Sequence, residues 1–457
     1  MDEATLVREL LDRATRPEPP IGPMAQNAIR AGLRLRRRRR IVQSAAAGTA
    51  AAVAISLAAL AGTGVIGNRP AAPAPIPATV YVLGGTQTLG TVTPISTITN
   101  RPGRPIVVER GNWPGAGPRL AVAPDRKTIW VADNDDDVTP ISTVTNRPEK
   151  PIRVVHLPDQ RVVQVLAAPD DKTIYVLDST VAVTPISTAT HKMGKPIQVG
   201  PNAAHHGEGA GDMAITPDGK TLYVVVYPPG PYPSYIVPIA TATGQPGKPI
   251  GLPISAGRIV FTPDGRRAYV FGYSTARTPR IEVIPIVTAG NHLGTPIIIG
   301  SGFIPGDTPV VMTPGGRMMY IPYGPDESNG PNGVIPFSTV TNKPGKLISV
   351  GSAFVEGIAL SPDAGTAYVV SQPIGPGPGS CAGPPGDVTP IATATNTIGR
   401  AIEVPCGVSA AALTPDGRTL YVSERGTVTP VATATGQVGE PIPVEGPAEI
   451  LIVPRPG

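Results

Sequence analysis

Eight aromatic residues, Tyr81, Trp130, Tyr175, Tyr223, Tyr269, Tyr320, Tyr368 and Tyr421, recur at intervals of 45 to 53 residues, each inside a short apolar run. A proline follows each one, at Pro94, Pro140, Pro185, Pro238, Pro285, Pro336, Pro390 and Pro430. A unit of this length that holds several short β-type runs and no helical periodicity fits the blades of a propeller and excludes a helical solenoid.

Each unit reads as four strands, A to D. In the fourth copy, strand A runs from Met213 to Thr216, strand B from Leu222 to Val226, strand C follows Pro238 and strand D follows Pro249. Between A and B, Pro-Asp-Gly combines a preset φ, an Asx hydrogen bond and a residue that accepts φ > 0, which makes a tight turn. Gly247, Gly294 and Gly399 fall in the C-to-D turn. The 58 prolines and 53 glycines recur in register with the β runs, so they punctuate an ordered repeat rather than mark disorder. Proline in strand C conflicts with a hydrogen-bonded ladder. The sequence-level expectation is that it sits at the entrance of strand C or at a bulge, beyond the reach of a short strand D.

The first unit has no strand A before it, and an unpaired apolar run, Ile450 to Val453, follows the last strand D. If that run supplies the innermost strand of the first blade, the ring closes without an open edge and has eight blades. Seven is the alternative, with the first unit outside the ring.

The stretch Thr-Pro-Asp-Gly-Lys-Thr-Leu-Tyr-Val at 216 to 224, with Thr-Ala-Thr at 241 to 243 and Gly-Lys-Pro-Ile at 247 to 250, resembles the YVTN-type β-propeller repeat of bacterial surface proteins. The resemblance covers about residues 80 to 454 and implies an exported binding or surface module. That repeat carries an aspartate before Thr-Ala-Thr, where this chain has serine, alanine or valine, as at Ser142, Ala240 and Val287. Any role of that acid is absent here.

Four segments make up the chain: a basic tail over 1 to 40, an apolar stretch over 41 to 66, a Pro/Ala linker over 67 to 79, and the propeller over 80 to 454. The tail places Leu6, Val7, Leu10 and Leu11 at helical spacing, and a partner of residues 1 to 40 would be cytoplasmic. Residues 41 to 66 carry no charge and are long enough to cross a bilayer, with arginines on the N-terminal flank that hold that side in the cytoplasm. The propeller is then extracytoplasmic. A signal-peptidase site near Ala61 is the alternative and would release it. The linker is extended and semi-rigid.

Ten arginines against five acids in residues 1 to 40 account for the whole net charge of +5, and the remaining 28 basic and 28 acidic residues cancel. That balance gives no support for a nucleic-acid partner.

Function is expected in the loops from D to the next A and from B to C, which open on one face of the ring. Trp113, Tyr227, Tyr232 and Tyr235 form a candidate contact surface for a protein or cell-envelope ligand, and His205, His206 and Glu208 lie in another such loop. Adjacent histidines point apart on an extended chain, so that loop and the acidic run at Asp133 and Asp135 to Asp137 read as solvated turns, and no metal or other cofactor is assigned. The two cysteines, Cys381 and Cys406, allow one disulfide in an exported domain. No linear motif of a hydrolase elbow, a phosphate loop or a zinc protease is present, so no catalytic residue is assigned. The reading is a non-enzymatic binding or scaffold module. The alternative is an enzyme of lactonase, lyase or quinoprotein type that uses the central mouth.

Overall fold

A computed structural model describes residues 75–85, 89–108, 120–132, 137–154, 161–199, 209–228, 233–276, 280–305, 308–325, 330–351, 353–373, 385–424, 426–446 and 449–455. The basic tail, the apolar stretch 41 to 66, the Ala61 site and most of the linker lie outside them. No helix among the described residues is long and apolar enough to cross a membrane.

The described residues form eight antiparallel sheets, one per repeat, which build an eight-bladed all-β propeller. Blade 4 shows the pattern: A is Gly209–Ile215, B is Thr221–Tyr227, C is Tyr235–Ala240, and the outer edge is two short pieces, Gln245–Pro246 and Ile250–Gly251. Glu449–Pro454 pairs with Ala78–Gly85, Leu451 opposite Tyr81, so the C-terminal strand is the innermost strand of blade 1.

Every blade is covered on both faces by its neighbours, which is why the B strands are apolar through their centres. Val224 and Val226 of blade 4 pack with Tyr175 and Leu177 of blade 3, whereas Tyr223 and Val225 pack with Ile254 and Ile259 of blade 5. The ring closes in the same way, Val80 and Val82 of blade 1 against Tyr421 and Val428 of blade 8.

Contrary to expectation, the strand-C prolines lie mid-strand, not at an entrance or a bulge. Each stands opposite the blade's aromatic residue in an unshifted B–C register, as in Tyr81↔Pro94 and Tyr269↔Pro285. A strand residue directs its N–H and C=O to the same side. The carbonyl of Pro285 accepts from the Gly294 N–H at 2.7 Å on the outer side, and the other seven prolines accept an equivalent bond. The missing N–H therefore also faces outward, into the gap between the two pieces of strand D, and removes nothing from the B–C ladder.

The Pro-Asp-Gly turns form as read. In blade 4, Asp218 Oδ1 accepts from Thr216 Oγ1 at 2.7 Å and from the Lys220 N–H at 3.1 Å, and Gly219 has φ +71°.

Candidate functional site

The inner strands carry polar residues at one common level, and each reaches across to the next blade. Gln164 of blade 3 grips the Met213 backbone of blade 4, donating to its carbonyl at 3.0 Å and accepting its N–H at 2.7 Å. Asp212 of blade 4 accepts the Ile259 N–H of blade 5 at 2.9 Å. Arg258 of blade 5 donates to the Thr308 carbonyl of blade 6, and Thr308 Oγ1 donates to Val355 of blade 7 at 2.8 Å. Bonds between charged groups and buried backbone are among the stronger ones, so this collar joins five blades around the axis.

Burial pushes the Asp212 carboxyl up, while the Ile259 and Met213 N–H groups and Arg258 oppose that shift. Both Asp212 oxygens accept backbone N–H groups, from Met213 and Ile259, so this side chain is committed to structure. Glu356, on the inner strand of blade 7 (Ala353–Leu360), differs. It is half-buried, it has no hydrogen bond to another described residue, and desolvation pushes its carboxyl up to about 7. No group of three or more His, Cys, Asp or Glu residues able to hold a metal occurs among the described residues.

A second set of contacts joins the blades near the A–B and C–D turns. Tyr81 Oη donates to Asn146 Oδ1 at 2.7 Å, and Tyr223, Tyr269 and Tyr320 donate to Asn291, Asn342 and Asn396 at 2.5 to 2.9 Å. Tyr421 does the same to Asn100 and completes the circle. These asparagines have φ between 52° and 57°, the left-handed region that asparagine tolerates better than most residues. The exceptions follow the partner. Trp130 meets His191 edge-on at a ring separation of 5.2 Å, and in the blades after Tyr175 and Tyr368 the asparagine's place in the sequence is taken by Gly244 and Gly436. Sequence reading alone does not single out the asparagine. The signal that would have found the latch is its covariation with the aromatic residue one repeat earlier.

Of the sequence-derived contact residues, Trp113, His205, His206, Glu208 and Tyr232 lie outside the described residues, as do Cys381 and Asp133, Asp135 and Asp136. Tyr227 and Tyr235 are described and are not brought together. Tyr235 stands opposite Val226 in the ladder, so it shares the blade-3 side with Val226. Tyr227 faces the other way, its hydroxyl near Gly257 of blade 5, and burial together with the Asp212 charge pushes its hydroxyl up. Asp137 opens strand C of blade 2 and pairs with Arg153 at 3.2 Å. Cys406 is disulfide-bonded.

The eight C–D connections, such as 97–104, 143–150 and 339–346, hold ten lysines and arginines against two glutamates. All ten are exposed, and none forms an ion pair with a described residue. The charge balance of the propeller as a whole therefore conceals a basic rim. The chain joins the ring at the same end: Ile76 N–H donates to Asp416 of the blade-8 A–B turn, and Ala78 N–H to Thr97 of the first C–D connection.

No protein-family model and no curated protein sequence matches the chain. Among solved structures it is similar to dihydro-heme d1 dehydrogenase NirN in complex with DHE, with 15% identity over 85% of this chain and 78% of that one and a TM-score of 0.62. It also matches the Kuenenia stuttgartiensis hydrazine synthase at 17% identity over 81% of this chain and 99% of that one, with a TM-score of 0.45. A functionally unknown protein from Desulfotomaculum acetoxidans DSM 771 matches at 16% identity over 70% and 96%, with a TM-score of 0.46. At such identities the likeness to NirN speaks for the propeller fold alone.

Proposed function

We propose that this chain is a membrane-anchored, extracytoplasmic propeller of the YVTN-repeat type that acts as a non-enzymatic binding or scaffold module for a protein or cell-envelope ligand. The observation that carries this reading is the exposed basic rim on the C–D connections, which lies where the chain joins the ring. A rigid ring with uncompensated cations at one end suits recognition of a surface. The described chain enters the ring from Pro75 at that same end, and the loops from B to C and from D to A open at the other. The collar residues Gln164, Asp212, Arg258 and Thr308 support the non-enzymatic part of the reading, because each is engaged by a neighbouring blade.

Fractionation of cells that express the full chain, followed by protease treatment of intact cells, tests it. The anchored reading expects recovery with membranes and digestion from outside. Recovery of intact protein in the cytosol would sink it, and recovery in the medium would favour cleavage near Ala61. Glu356 favours the second reading, an enzyme using the central mouth, since a carboxyl that titrates near neutrality suits proton transfer.

A further inference from the structure

Six of the seven A–B turns built on the Pro-Asp-Gly pattern place an aspartate at the same point, and its Oδ1 accepts the backbone N–H two residues on, at 2.8 to 3.1 Å. Blade 6 breaks the pattern with Thr313-Pro314-Gly315-Gly316-Arg317. Gly315 is not required by the backbone: its φ is not positive, and an added Cβ would meet nothing within 4 Å. The Arg317 N–H has no acceptor among the described residues. Thr313 Oγ1, whose counterparts donate to the aspartate, donates to the Met318 carbonyl at 3.2 Å instead.

Above this turn is a cavity of about 460 Å³ between blades 5 and 6, lined by Asp264, Arg266, Arg267, Gly315, Gly316 and Arg317 among others. Three guanidinium groups against one carboxylate leave an excess of two positive charges. Arg267 holds the Thr339 carbonyl at 3.1 Å, while Arg266 and Arg317 form no ion pair with a described residue. Asp264 is already occupied by Thr262 and the Arg266 N–H, and these bonds, helped by the Arg266 charge, hold its carboxyl below the usual range. A turn that elsewhere holds an anion thus keeps its donor, lacks its own acid, and is surrounded by arginine.

We infer that the blade-6 A–B turn binds a phosphate group in the place of the repeat's missing aspartate. A phosphate oxygen accepts the Arg317 N–H, and the other oxygens accept from the Arg266 and Arg317 guanidinium groups, whose forked donors match phosphate geometry. The cavity is larger than one oxyanion needs, so it admits a phosphate carried on a larger molecule. The inference depends on neither the anchor nor the loop-face surface.

The test titrates full-length protein, purified in a neutral detergent, with inorganic phosphate, glycerol 3-phosphate and acetate by calorimetry, alongside two variants. Gly315→Asp restores the repeat's own acid, so it is expected to fold at least as stably as wild type and to weaken phosphate binding by about ten-fold or more, the scale of one lost charge-assisted bond plus like-charge repulsion. R266Q/R317Q is expected to weaken it similarly without adding a negative charge, which decides the matter if the first variant folds poorly. Glycerol 3-phosphate bound as tightly as inorganic phosphate supports an esterified ligand, and a preference for inorganic phosphate supports the free ion. Unchanged binding in R266Q/R317Q, no saturable phosphate binding by wild type, or acetate bound as tightly as phosphate would each overturn the assignment.

Discussion

Tyr421 Oη donates to Asn100 Oδ1 at 2.5 Å across 321 residues of sequence and joins the last blade to the first. Loss of this latch leaves a buried hydroxyl without a partner, which costs about 1 to 3 kcal/mol. Asn100→Gly removes the acceptor but keeps the left-handed backbone, whereas Asn100→Ala also adds strain of about 1 kcal/mol. Denaturant unfolding is expected to rank the wild type above Asn100→Gly and Asn100→Gly above Asn100→Ala. Tyr421→Phe is expected to be destabilising alone and nearly neutral in the Asn100→Gly background.

Trp130 and His191 form the one latch, among the described residues, made of two rings in edge-to-face contact, and they should be exchangeable as a pair. His191 already has φ 55°, so asparagine fits there without backbone strain. His191→Asn loses the ring contact, worth about 0.5 to 1.5 kcal/mol, and Trp130→Tyr leaves unfilled volume. The double variant recreates the tyrosine–asparagine bond of five other blades. A double-mutant cycle is expected to show a favourable coupling of about 1 kcal/mol, and strict additivity would refute the equivalence.

Glu356 makes stability depend on pH. Its carboxyl moves from 4.5 to about 7 on folding, so the folded chain holds this proton more tightly than the unfolded chain. The resulting stabilisation is complete below pH 4.5 and is lost as pH rises to about 7. Glu356→Gln is therefore expected to unfold like wild type near pH 4 and to gain about 1 to 2 kcal/mol at pH 8, a range reduced for the group's partial exposure. Urea titrations at both pH values measure the difference, and an equal effect at both would exclude the titration.

Cys406 is disulfide-bonded, and with two cysteines in the chain the single intrachain pairing is with Cys381. Closing a loop of this length contributes about 3 to 4 kcal/mol in the chain-entropy account. Cys406→Ser, or reduction of the wild type, is expected to lower stability by up to that amount, and non-reducing peptide mapping should recover the 381–406 link.

Strands and closure were legible because the repeat states them again and again: an aromatic residue followed by Val or Ile marks strand B, a Pro-Asp-Gly-type turn follows strand A, and the missing first strand A pointed to Ile450–Val453. The strand-C prolines were visible but misplaced, since sequence does not reveal that strand D breaks opposite them. The latch and the collar were harder to see. Each depends on contacts between neighbouring repeats, and Gln164, Asp212, Arg258 and Thr308 share a level but no residue type. The basic rim escaped the total charge because opposite signs are separated by face, not by segment.

Pairing Glu449–Pro454 with the first blade also fixes an order of events. During synthesis, the strand Ala78–Gly85 is among the earliest β segments made, yet its inner edge has no partner until Glu449–Pro454 emerges. Throughout that interval the nascent chain carries an open β edge that another chain could occupy. Glu449–Pro454 thus acts as a completion check, and a ribosome that stalls before this strand leaves an unsealed ring.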